Sequence, residues 1–160
     1  YVKIGRSVTS IPAQAFTYCR LLPEITIPNT VTNIGDEAFA HCDALGAVDL
    51  GTGLLNIGNA AFFASWGLTN VTIPNNVLTI GSNAFYYCKY LSTVRVGDGV
   101  RRIEESTFMA CASLSTVALG RNVSYLGRSS FEACTNLTNL AFVDNAVEDR
   151  QWALCDCYGM

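Results

Sequence analysis

The sequence predicts a repeat solenoid, with a parallel β-sheet on one face and short turns or helices on the other. Two observations predict it: phenylalanine recurs every 23 residues, and each repeat holds an apolar–x–apolar triplet at a constant place. The phenylalanines are Phe16, Phe39, Phe62, Phe85, Phe108 and Phe131. Because the spacing holds through six copies without an insertion or a deletion, the repeat decides the architecture.

The triplet is the predicted strand of each repeat. Its two apolar residues flank one variable residue, which is the alternation of a strand with one buried face. The triplets begin at Ile25, Val48, Val71, Val94, Val117 and Leu140, and an earlier one begins at Val2. Proline or glycine is then expected to end the strand, at Pro28, Gly51, Pro74, Gly97 and Gly120.

The second half of each repeat is predicted to turn the chain back. An apolar pair such as Val31 and Ile34 precedes a glycine in most repeats, and we expect this glycine to supply the freedom that a turn requires. These glycines are Gly35, Gly58, Gly81 and Gly127, with Pro12 and Glu104 at the equivalent places. Asp36, Asn59 and Ser82 follow them and are predicted to cap a short helical turn.

The repeats must stack on one another. A single unit cannot bury its own leucine, valine, isoleucine and phenylalanine side chains, whereas a column of units buries them continuously. Neighbouring strands lie about 4.8 Å apart, so six coils span roughly 30 Å. A chain of 160 residues suits one domain of this kind.

Composition and charge disfavour several function classes. Half of the residues are hydrophobic and 14% are charged, so the chain must bury much apolar surface or share it with a partner. A net charge of −3 gives no basic footprint, which argues against nucleic acid as a partner. No apolar run approaches the roughly 18–20 residues of a membrane span, so no membrane insertion is expected of this segment.

Seven cysteines raise the questions of disulfides and metal. Five of them share one repeat position and should form a stacked file: Cys19, Cys42, Cys88, Cys111 and Cys134. Side chains in such a file point the same way, which is poor geometry for a disulfide, so we predict small, reduced, buried residues. Cys155 and Cys157 are left to pair with each other or bind a metal, but the lone His41 completes no zinc ligand set.

Catalysis has little support in the sequence. His41 adjoins Cys42, but a nucleophilic pair requires an accessible thiol and a convergent base, which neighbours in a turn rarely provide. No phosphate-cradling glycine loop occurs, and Glu104 with Glu105 suits a solvated turn. We therefore predict no enzyme activity, no cofactor and no metal.

The variable positions of the strands form the first candidate binding surface. One outward file contains Glu24, Ala47, Asn70, Thr93, Thr116 and Asn139, and the next contains Thr26, Asp49, Thr72, Arg95, Ala118 and Ala141. These positions vary while the core does not, as a recognition surface on a fixed frame would. The alternative is a solvated sheet face with no partner.

A second candidate surface is aromatic. Tyr86, Tyr87 and Tyr90 are predicted to group on the opposite, turn-bearing face, where Tyr18, Phe63 and Trp66 of other coils also lie. Amphipathic aromatic residues are common interface anchors, although rings packed as spacers between coils explain them equally well.

The repeat resembles the BspA-like leucine-rich repeat. The residues that carry the resemblance are Ile25-Thr26-Ile27-Pro28, Val31, Ile34-Gly35, Ala38-Phe39, Cys42 and Leu45, and the match recurs across residues 1–142. The resemblance implies a curved, right-handed solenoid of the α/β leucine-rich-repeat type. It also implies a setting in long cell-surface proteins of bacteria and protists, some of which are adhesins, and it brings no catalytic motif.

The predicted solenoid covers residues 1–142, with a partial first coil, and residues 143–160 form a cap or tail. Asp149 stands where the next isoleucine is due, and Trp152, Leu154 and Tyr158 are the residues of a predicted cap over the last coil. The alternative is a linker ordered against a neighbour. Because an uncovered first coil would expose a strand edge, we expect further repeats or another subunit before Tyr1.

Two functions remain open. The resemblance favours a non-catalytic protein-interaction module, a cell-surface adhesion or recognition segment of a longer protein. Low charge and unpaired cysteines favour an internal scaffold subunit of a larger assembly, because cysteine-rich extracellular chains usually oxidise. Three glycosylation sequons, at Asn70, Asn122 and Asn136, bear on the choice, although Asn- and Thr-rich repeats generate such triplets freely.

Overall fold

The computed structural model describes residues 2–141 and 153–157. Their strands belong to two series that alternate along the chain. The long strands are β2 (Glu24–Ile27), β4 (Ala47–Leu50), β6 (Asn70–Ile73), β8 (Thr93–Val96), β10 (Thr116–Ala118) and β12 (Asn139–Ala141). The short strands, of two residues each, are β1 (Ser10–Ile11), β3 (Asn33–Ile34), β5 (Asn56–Ile57), β7 (Thr79–Ile80), β9 (Arg102–Ile103) and β11 (Tyr125–Leu126).

Each 23-residue repeat forms one coil of a parallel β-solenoid. We number the coils as residues 2–23, 24–46, 47–69, 70–92, 93–115 and 116–138, so that coils 2 to 6 each begin with a long strand. Every strand pairing is parallel, and each joins a residue to its equivalent in the next coil. Ile25 pairs with Val48 in this way, and Ile34 pairs with Ile57. The solenoid prediction is confirmed.

The core is a set of columns, one for each apolar position of the repeat. Phe39, Phe62, Phe85, Phe108 and Phe131 are fully buried. Their rings stack face to face together with that of Phe16, with centroids 5.0–5.4 Å apart and ring planes within 3–11°. The leucines that follow them by six residues are buried as well. A single repeat position therefore makes a continuous file through the molecule.

The return half of the coil differs from the prediction. The expected turns form, but a second, two-residue strand precedes them, because the apolar residue before each glycine, such as Ile34 or Ile57, is buried and pairs with its equivalent. Residues 2–141 contain no helix. The predicted helix caps Asp36 and Asn59 instead bridge coils. Asp36 Oδ1 accepts a hydrogen bond from the backbone N–H of Asn59 (2.7 Å), and Asn59 Oδ1 accepts one from Ser82 (3.0 Å).

A helix is prevented by two left-handed residues in each turn segment, spaced four apart. The pairs are Gln14/Tyr18, Glu37/His41, Ala60/Ala64, Asn83/Tyr87, Ser106/Ala110 and Ser129/Ala133, with φ of 51–60°. Backbone N–H groups alternate around them: Thr17 donates to Gln14 in its own coil, whereas Phe16 and Tyr18 donate to Ala38 and Ala40 of the next. These inter-coil bonds offset a backbone conformation that costs energy for residues other than glycine.

The recurrent glycines serve close packing, not turning, so their predicted role was wrong. No glycine in the described ranges has a positive φ. A Cβ placed on Gly58 would lie 2.6 Å from the backbone nitrogen of Asp36, and one on Gly81 would lie 2.6 Å from that of Asn59. The position requires glycine because the preceding coil passes against it, with no room for a side chain.

Each of the two sheets is interrupted once. The long-strand sheet runs through β6, β8, β10 and β12 but has no pairing between β4 and β6. The short-strand sheet runs from β1 to β7 and resumes with β9 and β11, without pairing between β7 and β9. The two interruptions therefore lie on either side of coil 4, on different faces.

The described residues of the C-terminal segment pack on coil 6 in repeat register. Phe131 donates its backbone N–H to Ala153 O (2.9 Å), and Cys157 Sγ donates to Phe131 O (3.0 Å). Ala153 and Cys157 thus hold the alanine and cysteine positions of a further coil, and Leu154 packs against the core. Asp149, Trp152 and Tyr158 lie outside the described residues, and the division of the chain at residue 142 stays a prediction.

Replacing Phe85 with alanine should lower the free energy of unfolding by about 3–5 kcal/mol, because the ring is fully buried between two others. Urea unfolding followed by circular dichroism measures this loss. Leu21→Ala is the matched control: the Leu21 side chain is 91% exposed, and its removal should cost less than about 0.5 kcal/mol. A loss below about 1 kcal/mol for Phe85→Ala would contradict the stacked-ring core.

Candidate partner-binding surfaces

The long-strand sheet places the predicted surface residues in two parallel files. The first file contains Glu24 and Ala47 in register, and then Asn70, Thr93, Thr116 and Asn139. The second contains Thr26 and Asp49, and then Thr72, Arg95, Ala118 and Ala141. Nine of these twelve side chains are exposed, and Thr93, Thr116 and Ala118 are half-buried. The strand alternation predicted from the sequence therefore places these side chains outward.

Two opposite charges dominate this face, which we call the long-strand face. Asp49 on β4 and Arg95 on β8 are separated by Thr72 on β6, and neither forms an ion pair within the described ranges. Arg95 also borders a shallow groove of about 290 Å³ at the ends of β6, β8 and β10, together with Asn75 and Asp98. The interruption of the sheet between β4 and β6 lies between the two charges.

The predicted aromatic group is only partly assembled. Tyr86 and Tyr87 approach with ring centroids 6.4 Å apart. Tyr90 makes no ring contact with either of them; the Lys89 ammonium lies 5.5 Å from its ring centre. Tyr90 lies apart from the other two tyrosines because it follows the turn segment that contains them.

A column of rings lies on the turn-bearing face, and His41 is the member that was not predicted from the sequence. Tyr18 stacks on His41 (4.7 Å between centroids), His41 meets Phe63 edge-on (5.3 Å), and Phe63 stacks on Tyr86 (5.2 Å). The signal that identifies it is the 23-residue spacing of the pairs 18/41 and 63/86. Trp66 packs edge-on against Tyr87, 6.1 Å away. The rings are therefore spacers between coils, although Tyr18, Trp66 and Tyr87 also remain exposed.

The cysteine file is reduced and mostly buried, and one member departs from the prediction. Cys42, Cys88, Cys111 and Cys134 are fully buried, whereas Cys19 is exposed. Each buried thiol donates to the carbonyl of the phenylalanine 26 residues earlier, such as Cys88 to Phe62 at 3.2 Å. Cys157 donates its thiol to Phe131 O and forms no disulfide.

The buried thiols of Cys42 and Cys88 do not have the acidity that a nucleophile or a metal ligand requires. Burial raises the pKa of Cys42 to about 12, with the neighbouring Cys19 adding to the effect, so the thiol next to His41 stays protonated at neutral pH. Burial likewise raises the pKa of Cys88 to about 12. The part of the chain with described coordinates holds no group of three His, Cys, Asp or Glu side chains arranged for a metal ion.

Native-state thiol labelling should separate Cys19 from the buried file. With a maleimide at pH 8, we expect peptide mass spectrometry to find Cys19 labelled and Cys42, Cys88, Cys111 and Cys134 protected until urea is added. Labelling of Cys88 as fast as Cys19 in native protein would refute the buried file.

Because the folded state raises the pKa of Cys42 and Cys88 from 9.0 to about 12, the free energy of unfolding should fall as the pH rises above 9.

No helix among the described residues is long and apolar enough to cross a bilayer.

Several proteins of known structure share this architecture. A leucine-rich repeat protein of T. pallidum is 28% identical with a TM-score of 0.63, and the match covers 81% of this chain and 72% of that one. A leucine-rich repeat protein from Eubacterium ventriosum is 26% identical (TM-score 0.67), with 73% of this chain and 32% of the other covered. The pneumococcal vaccine antigen PcpA shares the fold at 19% identity (TM-score 0.69; 91% and 41%). This chain thus spans less than half of the latter two.

Comparison with curated protein sequences found no match. The model of the BspA type leucine-rich repeat region, in contrast, matches six copies over residues 1–67 and 55–159. Both the stacked phenylalanines and the glycines of close approach fall within these ranges. The chain belongs to the BspA-type leucine-rich repeat family.

Proposed function

We propose that this chain is a protein-recognition module that binds its partner through the long-strand face. Members of its repeat family are in general binding modules without catalysis, and it is a repeat protein-interaction module of that kind. The observation that carries the proposal is the pairing register, which holds the twelve outward positions in two paired sets, four on β2 and β4 and eight on β6 to β12, while their residue types vary. Variable side chains on a fixed backbone are the usual form of a recognition surface.

The chemistry of the face supports a polar protein partner. Most of its residues are small and neutral, so a partner can approach the sheet closely and form hydrogen bonds with Asn70, Thr72 and Asn139. Asp49 on β4 and Arg95 on β8 lie on either side of Thr72 on β6, and neither charge is neutralised within the described ranges. A partner with one basic and one acidic group in matching positions complements both, which favours a fixed orientation of binding.

Reversing both charges should weaken partner binding at least tenfold without changing the net charge. We expect this from the double variant Asp49→Lys with Arg95→Glu, measured by calorimetry against the partner recovered by photo-crosslinking at Thr72. The matched control is Glu37→Lys with Arg128→Glu, two exposed charges away from the long-strand face, which should bind normally. A double variant that binds as tightly as the parent chain would exclude this face.

The location is proposed to be the cell surface, with adhesion as the role. The family resemblance supports it, because related repeats occur in cell-surface proteins. The three sequons are compatible with it in a eukaryotic secretory route, since Asn70, Asn122 and Asn136 are all exposed. The second candidate, an internal scaffold subunit, is favoured by one observation: the five cysteines of the file, from Cys19 to Cys134, form no disulfide.

Mass spectrometry of the full-length protein from its source should distinguish the two candidates. For a surface adhesin we expect a cleaved signal peptide or glycans on Asn70, Asn122 or Asn136. For an internal scaffold we expect an unmodified chain with free thiols, recovered with stoichiometric companions. The second result would overturn the proposed location and leave the long-strand face to be tested against those companions.

A further inference from the structure

The interruption of the short-strand sheet leaves backbone groups of two coils facing each other without hydrogen bonds. Elsewhere in this sheet, the residue at the glycine position donates its N–H to the preceding coil; Gly81 donates to Ile57 (2.9 Å) and Gly127 to Ile103 (2.7 Å). The equivalent bond from Glu104 to Ile80 is missing among the described residues, and so is the bond from Arg101 to Leu78. Coil 4 therefore presents carbonyl oxygens and coil 5 presents N–H groups.

The cause is the side chain of Glu104, which stands where its neighbours have glycine. A Cβ on Gly81 would lie 2.6 Å from the backbone of coil 3, and a Cβ on Gly127 would lie 2.6 Å from the backbone nitrogen of Glu105. In the same register, the Cβ of Glu104 would collide with the backbone of coil 4. The two coils must part at this point.

The opening is local, because the same two coils are bonded on both sides of it. Long strands β6 and β8 pair over four residues. In the turn segment, Asn83 donates its N–H to Glu105 O (3.1 Å) and Phe85 donates to Thr107 O (2.9 Å). The gap is thus a fixed feature of the surface and not the start of a separation of the solenoid.

The two walls of the gap present opposite hydrogen-bonding groups. The N–H of Glu104 has no bond to the carbonyl oxygen of Ile80, so one wall offers a donor and the other an acceptor. A single group that accepts from one wall and donates to the other complements both. A primary amide carries both functions in one planar group, unlike a carboxylate, which only accepts.

A groove of about 600 Å³ surrounds the gap and carries an unbalanced positive charge. Arg102 is engaged, because it bonds Glu104 (2.9 Å) and lies over the ring of Tyr125 (3.7 Å). Arg101 is exposed and makes no ion pair with any residue in the described ranges. Its charge favours a carboxylate next to the amide.

We propose that this groove binds a short, acidic, extended peptide of a protein partner, and that an Asn or Gln side chain of the peptide enters the gap. The amide accepts a hydrogen bond from the N–H of Glu104 and donates one to the carbonyl oxygen of Ile80. An adjacent carboxylate pairs with Arg101. The site lies on the short-strand face, so it is independent of the proposed function of the long-strand face.

The test uses a pentapeptide with asparagine between two aspartates, titrated into the chain and followed by NMR. We expect shifts of the amide signals of residues 101–104, and at least tenfold weaker binding when leucine replaces the asparagine.

Glu104→Gly should close the gap, protect the amides of residues 101 and 104 from hydrogen exchange as strongly as that of Gly127, and reduce binding at least tenfold. Glu104→Gln retains a Cβ, so it should keep both the gap and the binding.

Further variants separate this site from the first. Arg101→Ala should weaken binding of the peptide severalfold, whereas Asp49→Lys with Arg95→Glu should leave it unchanged. Thermal unfolding of Glu104→Gly, expected at or above the parent temperature, excludes misfolding as the reason for lost binding. Equal binding by Glu104→Gly, equal binding of the leucine peptide, or slow exchange of the Glu104 amide in the parent chain would each overturn the proposal.

Discussion

The constraint on which the structure depends is the spacing of one strand between successive coils. Paired residues of successive coils lie about 4.8 Å apart, the spacing of neighbouring strands. The phenylalanine rings obey the same spacing, with centroids 5.0–5.4 Å apart. A side chain at a buried position must therefore pack against the equivalent side chain of the next coil. Large flat rings and branched aliphatic side chains satisfy this requirement, and they fill the buried columns.

The same spacing explains why the return half of the coil contains strands and turns. An α-helix is about 10 Å wide with its side chains, twice the distance between coils, so helices could not stack at this spacing. The turn segments solve the problem with alternating local and inter-coil hydrogen bonds, which require left-handed residues such as His41 and Tyr87. His41 stacks on Tyr18, and Tyr87 packs against Trp66 of the preceding coil, so the unusual backbone also places rings between coils.

Single residues that differ from the repeat pattern produce defined features on the surface. Where a side chain replaces glycine at Glu104, one sheet opens, and the surrounding coils hold the opening in place. Where charge appears among small neutral residues, at Asp49 and Arg95, the long-strand face acquires polarity. A regular frame thus turns single substitutions into defined surface features, because the neighbouring coils do not adjust to hide them. Recognition in such a protein depends on the residues that depart from the repeat, whereas stability depends on the repeated core residues.

The sequence by itself determined the coil, its length, its core columns and the outward files of the long strands. It could do so because a buried position repeated every 23 residues leaves a periodic signal that no single residue would give. The tertiary structure alone decided the second strand of each coil, the role of the glycines and the two sheet interruptions. A two-residue strand has too little alternation to be recognised, and Gly81 suggests a turn until the backbone of the preceding coil is seen against it. Likewise, Glu104 resembles a solvated turn residue in sequence, and only the packing of the neighbouring coils shows that its Cβ separates coils 4 and 5.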